Sequence, residues 1–333
     1  MGVQVEIPGR MLRSGNPILQ VSLQSSQCFL ARARKCLASA PWFQYAWLNR
    51  IEPDLIMRPA LLRTAVVVVT GFLLALPSLR AASAQDVSRA YLLPELFEIM
   101  ASEGRNSVLA EGAIPLQGRA LADFERDVAR IYDHDTMHDA FLATLTADLD
   151  SAPDVMQDAL EFAQTDLGKR VLRLEISARE ALLDDEVDQI ARMTLEEART
   201  DPAQRLEMIR ARVDANDLIE LNVSLGLNTS YAYYQGMLSE NAVNGLDSEQ
   251  LLFLVWAQEP EIRADIEDWI ESYFMMAYQP LSDDELQAYI DYVSQPLAQA
   301  FNRAMFRAFD ALFTDISIAV GRALGRRLNV EDL

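Results

Sequence analysis

The sequence predicts an all-α protein, a helical bundle of two related helical repeats preceded by a signal peptide. Strand signals are almost absent beyond Gln85, where Asn244-Gly245 lacks the alternating apolar flanks of a hairpin. Apolar residues recur instead at helical spacing, as in Leu286, Tyr289, Ile290 and Val293. The chain also repeats itself. Glu95-Leu-Phe-Glu-Ile-Met-Ala-Ser-Glu-Gly-Arg-Asn106 aligns with Asp217-Leu-Ile-Glu-Leu-Asn-Val-Ser-Leu-Gly-Leu-Asn228, matching Glu98 with Glu220, Ser102 with Ser224 and Gly104 with Gly226.

From the N-terminus, residues 1–56 are expected to be an extension outside the working protein, because Met57 stands where a signal peptide should begin. Residues 57–84 have the order that export requires: Arg58 and Arg63, then the uncharged run Thr64 to Leu79, then Ala82-Ser83-Ala84 for the peptidase. As a helix that run spans roughly 24 Å, against about 30 Å of bilayer hydrocarbon. Cleavage after Ala84 and a periplasmic location are therefore expected, with no stable membrane insertion afterwards. The alternative is a membrane-anchored protein that keeps segment 61–79.

Cleavage would remove both cysteines, Cys28 and Cys36, leaving packing alone to hold the fold. Residues 85–333 carry 47 Asp and Glu against 20 Lys and Arg, a net charge of −27. Nucleic acid and anionic lipid would be repelled by such a body. An acidic surface also keeps an exported protein soluble.

The two repeats are expected at 85–200 and 201–333, with the matched segments at 91–200 and 214–325. The offset between them grows from 122 at Glu98/Glu220 to 130 at Gln157/Gln287, and the polar stretch Ser239 to Gly245 takes the extra residues. Asp201-Pro202 reads as a helix start, Ser282 and Glu285 as a capping box, and Pro94, Pro153 and Pro296 as first-turn prolines. The last helix, about Pro296 to Leu324, has one apolar stripe through Phe301, Met305, Ala308, Leu312, Ile316 and Val320 and a second through Phe306, Phe309 and Phe313. So wide an apolar arc is buried on two sides, either across the bundle or in a homodimer.

Chemistry-bearing motifs are few. His134 and His138, spaced i,i+4, put two imidazoles on one side of a helix, as a zinc site requires. No third ligand or general-base Glu accompanies them in a known pattern, and their counterparts Ile262 and Ile266 imply a packed face. Two hydrogen-bonded, half-buried histidines are the simpler account. Asp184-Asp185-Glu186 with Asp188 lacks the Gly and alternating oxygens of a calcium loop and reads as a solvated turn. There is no Gly-x-Ser-x-Gly elbow and no phosphate-binding Gly-rich loop, and no cofactor is implied. Tyr231, Tyr233, Tyr234 and Met237 form an aromatic patch suited to a partner or an apolar ligand, with a second patch from Tyr273 to Tyr278. Such residues also serve as core.

Phe162-Ala-Gln-Thr-Asp-Leu-Gly168 and Tyr292-Val-Ser-Gln-Pro-Leu-Ala298 share one signature, an aromatic closing a helix, a polar turn, and a small residue opening the next. With Leu281-Ser-Asp-Asp-Glu-Leu286 before the second copy, the chain resembles the exported bacterial helical family catalogued as domain of unknown function 2059. Ala298 departs from the Gly of that pattern. The resemblance implies a helical periplasmic protein and carries over no catalytic residue. The expected function is a non-enzymatic module of the cell envelope that binds a protein or an apolar ligand. A metal-dependent hydrolase using His134 and His138 is the alternative.

Overall fold

Side-chain caps fix where several helices begin. The computed structural model describes residues 82–331, apart from 114, 201–203 and 243–246. Thirteen helices and no strand occur among the described residues, so the chain is all-α. In order they are α1 (Ala84–Ala90), α2 (Leu93–Gly112), α3 (Gly118–Ile131), α4 (His134–Leu149), α5 (Pro153–Gln164), α6 (Asp166–Ala181) and α7 (Asp185–Thr200). Then follow α8 (Gln204–Asp214), α9 (Leu218–Ser239), α10 (Ser248–Trp256), α11 (Glu259–Ala277), α12 (Asp283–Val293) and α13 (Pro296–Glu331).

The expected capping box opens α12, where Glu285 N donates to Ser282 Oγ at 3.2 Å and Ser282 N to the Glu285 carboxylate at 2.8 Å. Asp247 and Gln250 cap α10 in the same reciprocal way, and Asp133 caps α4. Pro153 and Pro296 open α5 and α13, where the missing amide proton costs nothing. The helix start expected at Asp201-Pro202 and the leader through residue 81 lie outside the described residues.

Packing is organised around α13. Its residues Phe301, Met305, Phe309, Leu312, Ile316 and Val320 are all buried, as are Phe306 and Phe313 on the neighbouring face. The two-sided burial read from the sequence is met inside the chain: α13 runs along α9 and also packs on α3, α4 and α5. Phe309 meets Phe141 of α4 at 4.5 Å between ring centroids and Phe97 of α2 at 5.9 Å. On the opposite side of the chain's midpoint, α11 gathers α6, α7, α8 and α9.

Two glycines set the α9–α13 spacing. A Cβ on Gly321 would stand 2.1 Å from the carbonyl oxygen of Tyr233, and one on Gly236 would stand 2.4 Å from that of Ile318. The backbones therefore touch where these residues cross, and the flanking Tyr233 and Met237 are pressed into the interface. Gly321→Ala and Gly236→Ala are each expected to lower the unfolding free energy by about 3 kcal/mol, the upper range for overpacking. The double variant should cost less than the sum, because the first methyl already parts the helices. Urea denaturation checks this, and unchanged midpoints would disprove so close a crossing.

Candidate functional site

The most concentrated polar chemistry lies in the core, where helices from both halves of the chain meet. On α6 the apolar stripe of Val171, Leu172, Ile176 and Ala178 is interrupted by Glu175, and on α8 the stripe of Leu206, Ile209 and Val213 is interrupted by Arg212. Glu175 is 3 % exposed and Arg212 is wholly buried. The Glu175 carboxylate accepts hydrogen bonds from the hydroxyls of Tyr278 (2.6 Å) and Tyr289 (3.1 Å), and its backbone carbonyl accepts one from Tyr273 (3.0 Å). Arg212 donates to the Tyr289 oxygen at 3.3 Å. That hydroxyl thus stands between cation and anion, receiving a proton from one and giving its own to the other.

Arg212 Nε and Nη1 have no hydrogen-bond acceptor among the described residues. The guanidinium instead faces the rings of Tyr289 and Phe274, at 5.0 and 5.3 Å from their centroids, where the π cloud supplies negative potential. Burial holds the Glu175 carboxyl above its usual range, against the opposing pull of Arg212 and the two phenols. Burial likewise raises Tyr273 and Tyr278 well above the ordinary phenol value, so both stay protonated donors.

Further polar links continue around this cluster. The buried Arg179 of α6 pairs with Glu103 of α2. Tyr292 of α12 donates to Asp158 of α5 at 3.2 Å while its ring stacks on Phe162, with centroids 3.7 Å apart and planes at 7°. Two shallow surface grooves are lined by Asp127, Arg130, Arg322 and Arg326, and by Asp166, Arg170, Asp284 and Glu285, together with smaller residues. Neither is lined by Glu175, Arg212 or their tyrosines. The buried cluster holds helices in place and offers no surface to a substrate.

The residues singled out from sequence are placed apart from it. His138 is half-buried on α4, with Nε2 2.7 Å from Ser88 Oγ of α1 and its ring against Phe97. Desolvation lowers its pKa. His134 opens the same helix, with a side chain 41 % exposed. Among the described residues no group of three or more His, Cys, Asp and Glu is arranged to hold a metal ion. Among the described residues the pair is thus joined by no third protein ligand.

Tyr233, Tyr234 and Met237 are buried at 5, 8 and 2 % exposure, and Tyr231 is half-buried, so the aromatic patch is largely core near the α9–α13 crossing and lines neither of the two grooves above. Tyr273, Phe274 and Tyr278 are core as well. In the acidic turn, Asp184 caps α7 through the amide of Glu186 (2.8 Å), and the buried Asp188 pairs with Arg192 (3.1 Å). Ala82 and Ala84 are buried, and Ser83 forms a capping box with Asp86 at the head of α1.

The surface shows what the sequence reading passed over. Among the described residues the exposed large apolar side chains are Leu183, Ile190 and Met193, at and within α7, and Leu252, Phe253 and Trp256 on α10. Phe253 is 74 % and Trp256 59 % exposed. α10 buries Leu251 and Val255 against its neighbours and turns the larger residues outward. The apolar run Leu251 to Trp256 carried this signal, since six consecutive apolar residues go right round a helix and cannot all face one seat.

Arg212→Met is expected to cost about 3–5 kcal/mol, because Glu175 is then buried without its cation. Arg212→Met with Glu175→Gln should cost less than the two singles added, by about 1–3 kcal/mol. Since Glu175 binds its proton more tightly in the folded chain, its stability contribution is full below the unfolded carboxyl value of about 4.3. It is lost as pH rises through the folded value. Urea titrations of wild type and Glu175→Gln over about pH 4 to 8 should therefore show the wild type's relative stability falling with pH. A pH-independent difference would contradict the burial described.

Compared with family models, with curated proteins and with solved structures, the chain has no match in any of the three.

Proposed function

We propose that this chain is an exported helical module of the cell envelope, built from two copies of one helical unit, that binds a protein partner and catalyses no reaction. One observation carries the binding role. The exposed large apolar residues gather on α7 and α10, while the ionisable groups of strongest chemical character are sealed in the core. Apolar area concentrated on two helices of an otherwise acidic surface is characteristic of a protein-contact site.

The order of helices supports the duplication. A long helix (α2, α9), a shorter one (α3, α10), a long one (α4, α11) and a short one (α5, α12) follow in both halves. α5 and α12 begin 130 residues apart, as do α6 and α13. Leu92 and Asp217, the residues before α2 and α9, both take left-handed backbone (φ 57° and 49°), which is uncommon outside glycine. The equivalent helices α13 and α6 each pack on the other copy, α13 against α4 and α5, and α6 against α11 and α12. Phe162 and Tyr292, the equivalent aromatics of the signature, stack on each other as residues at a two-fold axis would. Gly168 admits the turn at this point, since a Cβ there would stand 2.0 Å from the Phe162 carbonyl oxygen.

For export, the leader's residue order remains the argument. Ser83 caps α1 and Ala84 is buried, so a peptidase cutting the Ala84–Gln85 bond has to act before α1 docks.

A photo-activated cross-linker placed at Phe253 or Met193 should give protein adducts in envelope preparations, and one at the exposed Ser177 should not. The native product should begin at Gln85 by N-terminal sequencing. Adducts from none of the three positions would reject the binding role, and a product retaining the Val-rich stretch would reject cleavage.

A further inference from the structure

On the two-copy reading, one seat in the second copy is left open. In the first copy the C-terminal half of α13 lies along α3, where Ala319, Arg322 and Arg326 face Asp127, Arg130 and Ile131, and Arg327 pairs with Asp127. The counterpart of α3 is α10. The counterpart of that half of α13, at an offset of 130, is α7, which packs along α11 instead. Leu252, Phe253 and Trp256 of α10 are exposed at 44, 74 and 59 %. The helix that covers α3 has no counterpart packed along α10.

From this vacancy in the repeat and the charge around it, we infer that α10 is the docking site for a basic amphipathic helix of a partner protein. The inference rests on the proposed binding role and names the partner's chemistry. Asp247, Glu249, Glu259 and Glu261 flank the apolar face, and no Lys or Arg occurs between Asp247 and Ile262. Arg263, the next cation along the chain, pairs with Glu220 and Glu259. The equivalent seat in the first copy already holds a basic helix, since Arg322, Arg326 and Arg327 of α13 lie beside Asp127 and Ile131 of α3. Cations at the rim reproduce that pairing, and apolar anchors would cover the bare face of α10.

Other occupants fit less well. α7 is itself acidic, and Arg199 clamps it to Asp268 (2.7 Å) and Glu271 (2.8 Å) of α11. A second copy would bring the same acidic rim against itself. An anionic membrane is repelled for the same reason.

The test is calorimetric titration of the purified protein with a synthetic four-turn Leu/Lys amphipathic helix. A Gln/Lys helix has the charge without the apolar face, and a Leu/Glu helix has the reverse charge. Binding of the Leu/Lys helix should weaken about tenfold or more in Phe253→Ser/Trp256→Ser, whose exposed positions leave the core intact. Asp247→Asn with Glu249, Glu259 and Glu261 changed to Gln should weaken it and flatten its salt dependence; Asn keeps the α10 cap.

Equal affinity of wild type and Phe253→Ser/Trp256→Ser, or equal binding of the Gln/Lys helix, would reduce the effect to diffuse charge and overturn the inference. So would failure of the Leu/Lys helix to bind. A dimer mass lost in the same variant would assign the seat to a second copy. Flotation with neutral phosphatidylcholine vesicles lost in that variant would assign it to lipid, and an efficient cysteine cross-link between positions 193 and 253 would assign it to α7. Each of these outcomes overturns the inference. Should Phe253 give protein adducts while the Leu/Lys helix does not bind, the binding role stands and only the partner's chemistry fails.

Discussion

A carboxylate and a guanidinium from different halves of the chain, Glu175 and Arg212, sit in one core and are joined through the Tyr289 hydroxyl rather than by a direct ion pair. Removing two charges from solvent costs several kcal/mol each, and only well-aimed partners offset that. Here the alignment is supplied by phenols. The hydroxyls of Tyr278 and Tyr289 point at one carboxylate oxygen, and the Tyr289 and Phe274 rings face the guanidinium. Those groups come from α6, α8, α11 and α12, so a one-residue slip of any of these helices would leave a buried charge exposed to hydrocarbon alone. Apolar residues of similar volume often replace such buried charges without loss of stability, and they tolerate more packings. The arrangement specifies one of them.

Around this fixed point the two halves interlock. α13 leaves α12 in the second half and packs on α3, α4 and α5 of the first, while α6 reaches from the first half to α11 and α12 of the second. Neither half therefore owns its core. The same Glu271 of α11 receives Arg199 from α7 and Arg210 from α8, tying the connection between halves to the helix that both surround. Folding of such a chain depends on contacts far apart in sequence, which is why local helix signals alone do not reveal it.

The helices themselves were legible. Ser282 with Glu285, Pro153 and Pro296 marked their starts because capping is a local bargain between neighbouring residues. The α13 stripes were legible for the same reason, since periodicity records burial along one helix. What neighbouring helix supplies that burial is not a local property. Tyr233, Tyr234 and Met237 read equally as a binding patch or as core, because nothing in α9 reveals that the Gly321 backbone of α13 lies on Tyr233 and Met237. The buried cluster was missed although a signal existed. At an offset of 130, Glu175 matches Met305 and Arg179 matches Phe309, both fully buried, so on the two-copy reading charges stand at positions that are apolar in the other copy.

The open face of α10 has an origin in one local competition. α13 continues without interruption past Thr314, whereas at the matched position Asp184 the first copy breaks between α6 and α7. Asp184 accepts from the Glu186 amide at 2.8 Å, and an Asp side chain that satisfies a free backbone donor in this way ends one helix and starts another. The chain after the break takes a new direction. Arg199 then fastens α7 to Asp268 and Glu271, on a helix that a straight continuation of α6 would have run past. On the two-copy reading, that diversion uncovers Leu252, Phe253 and Trp256, because the helix meant to cover them has gone elsewhere. On the same reading, a single capping carboxylate turns a symmetric, self-filled repeat into one with a vacant apolar seat. The acidic residues beside that seat determine which kind of helix it favours.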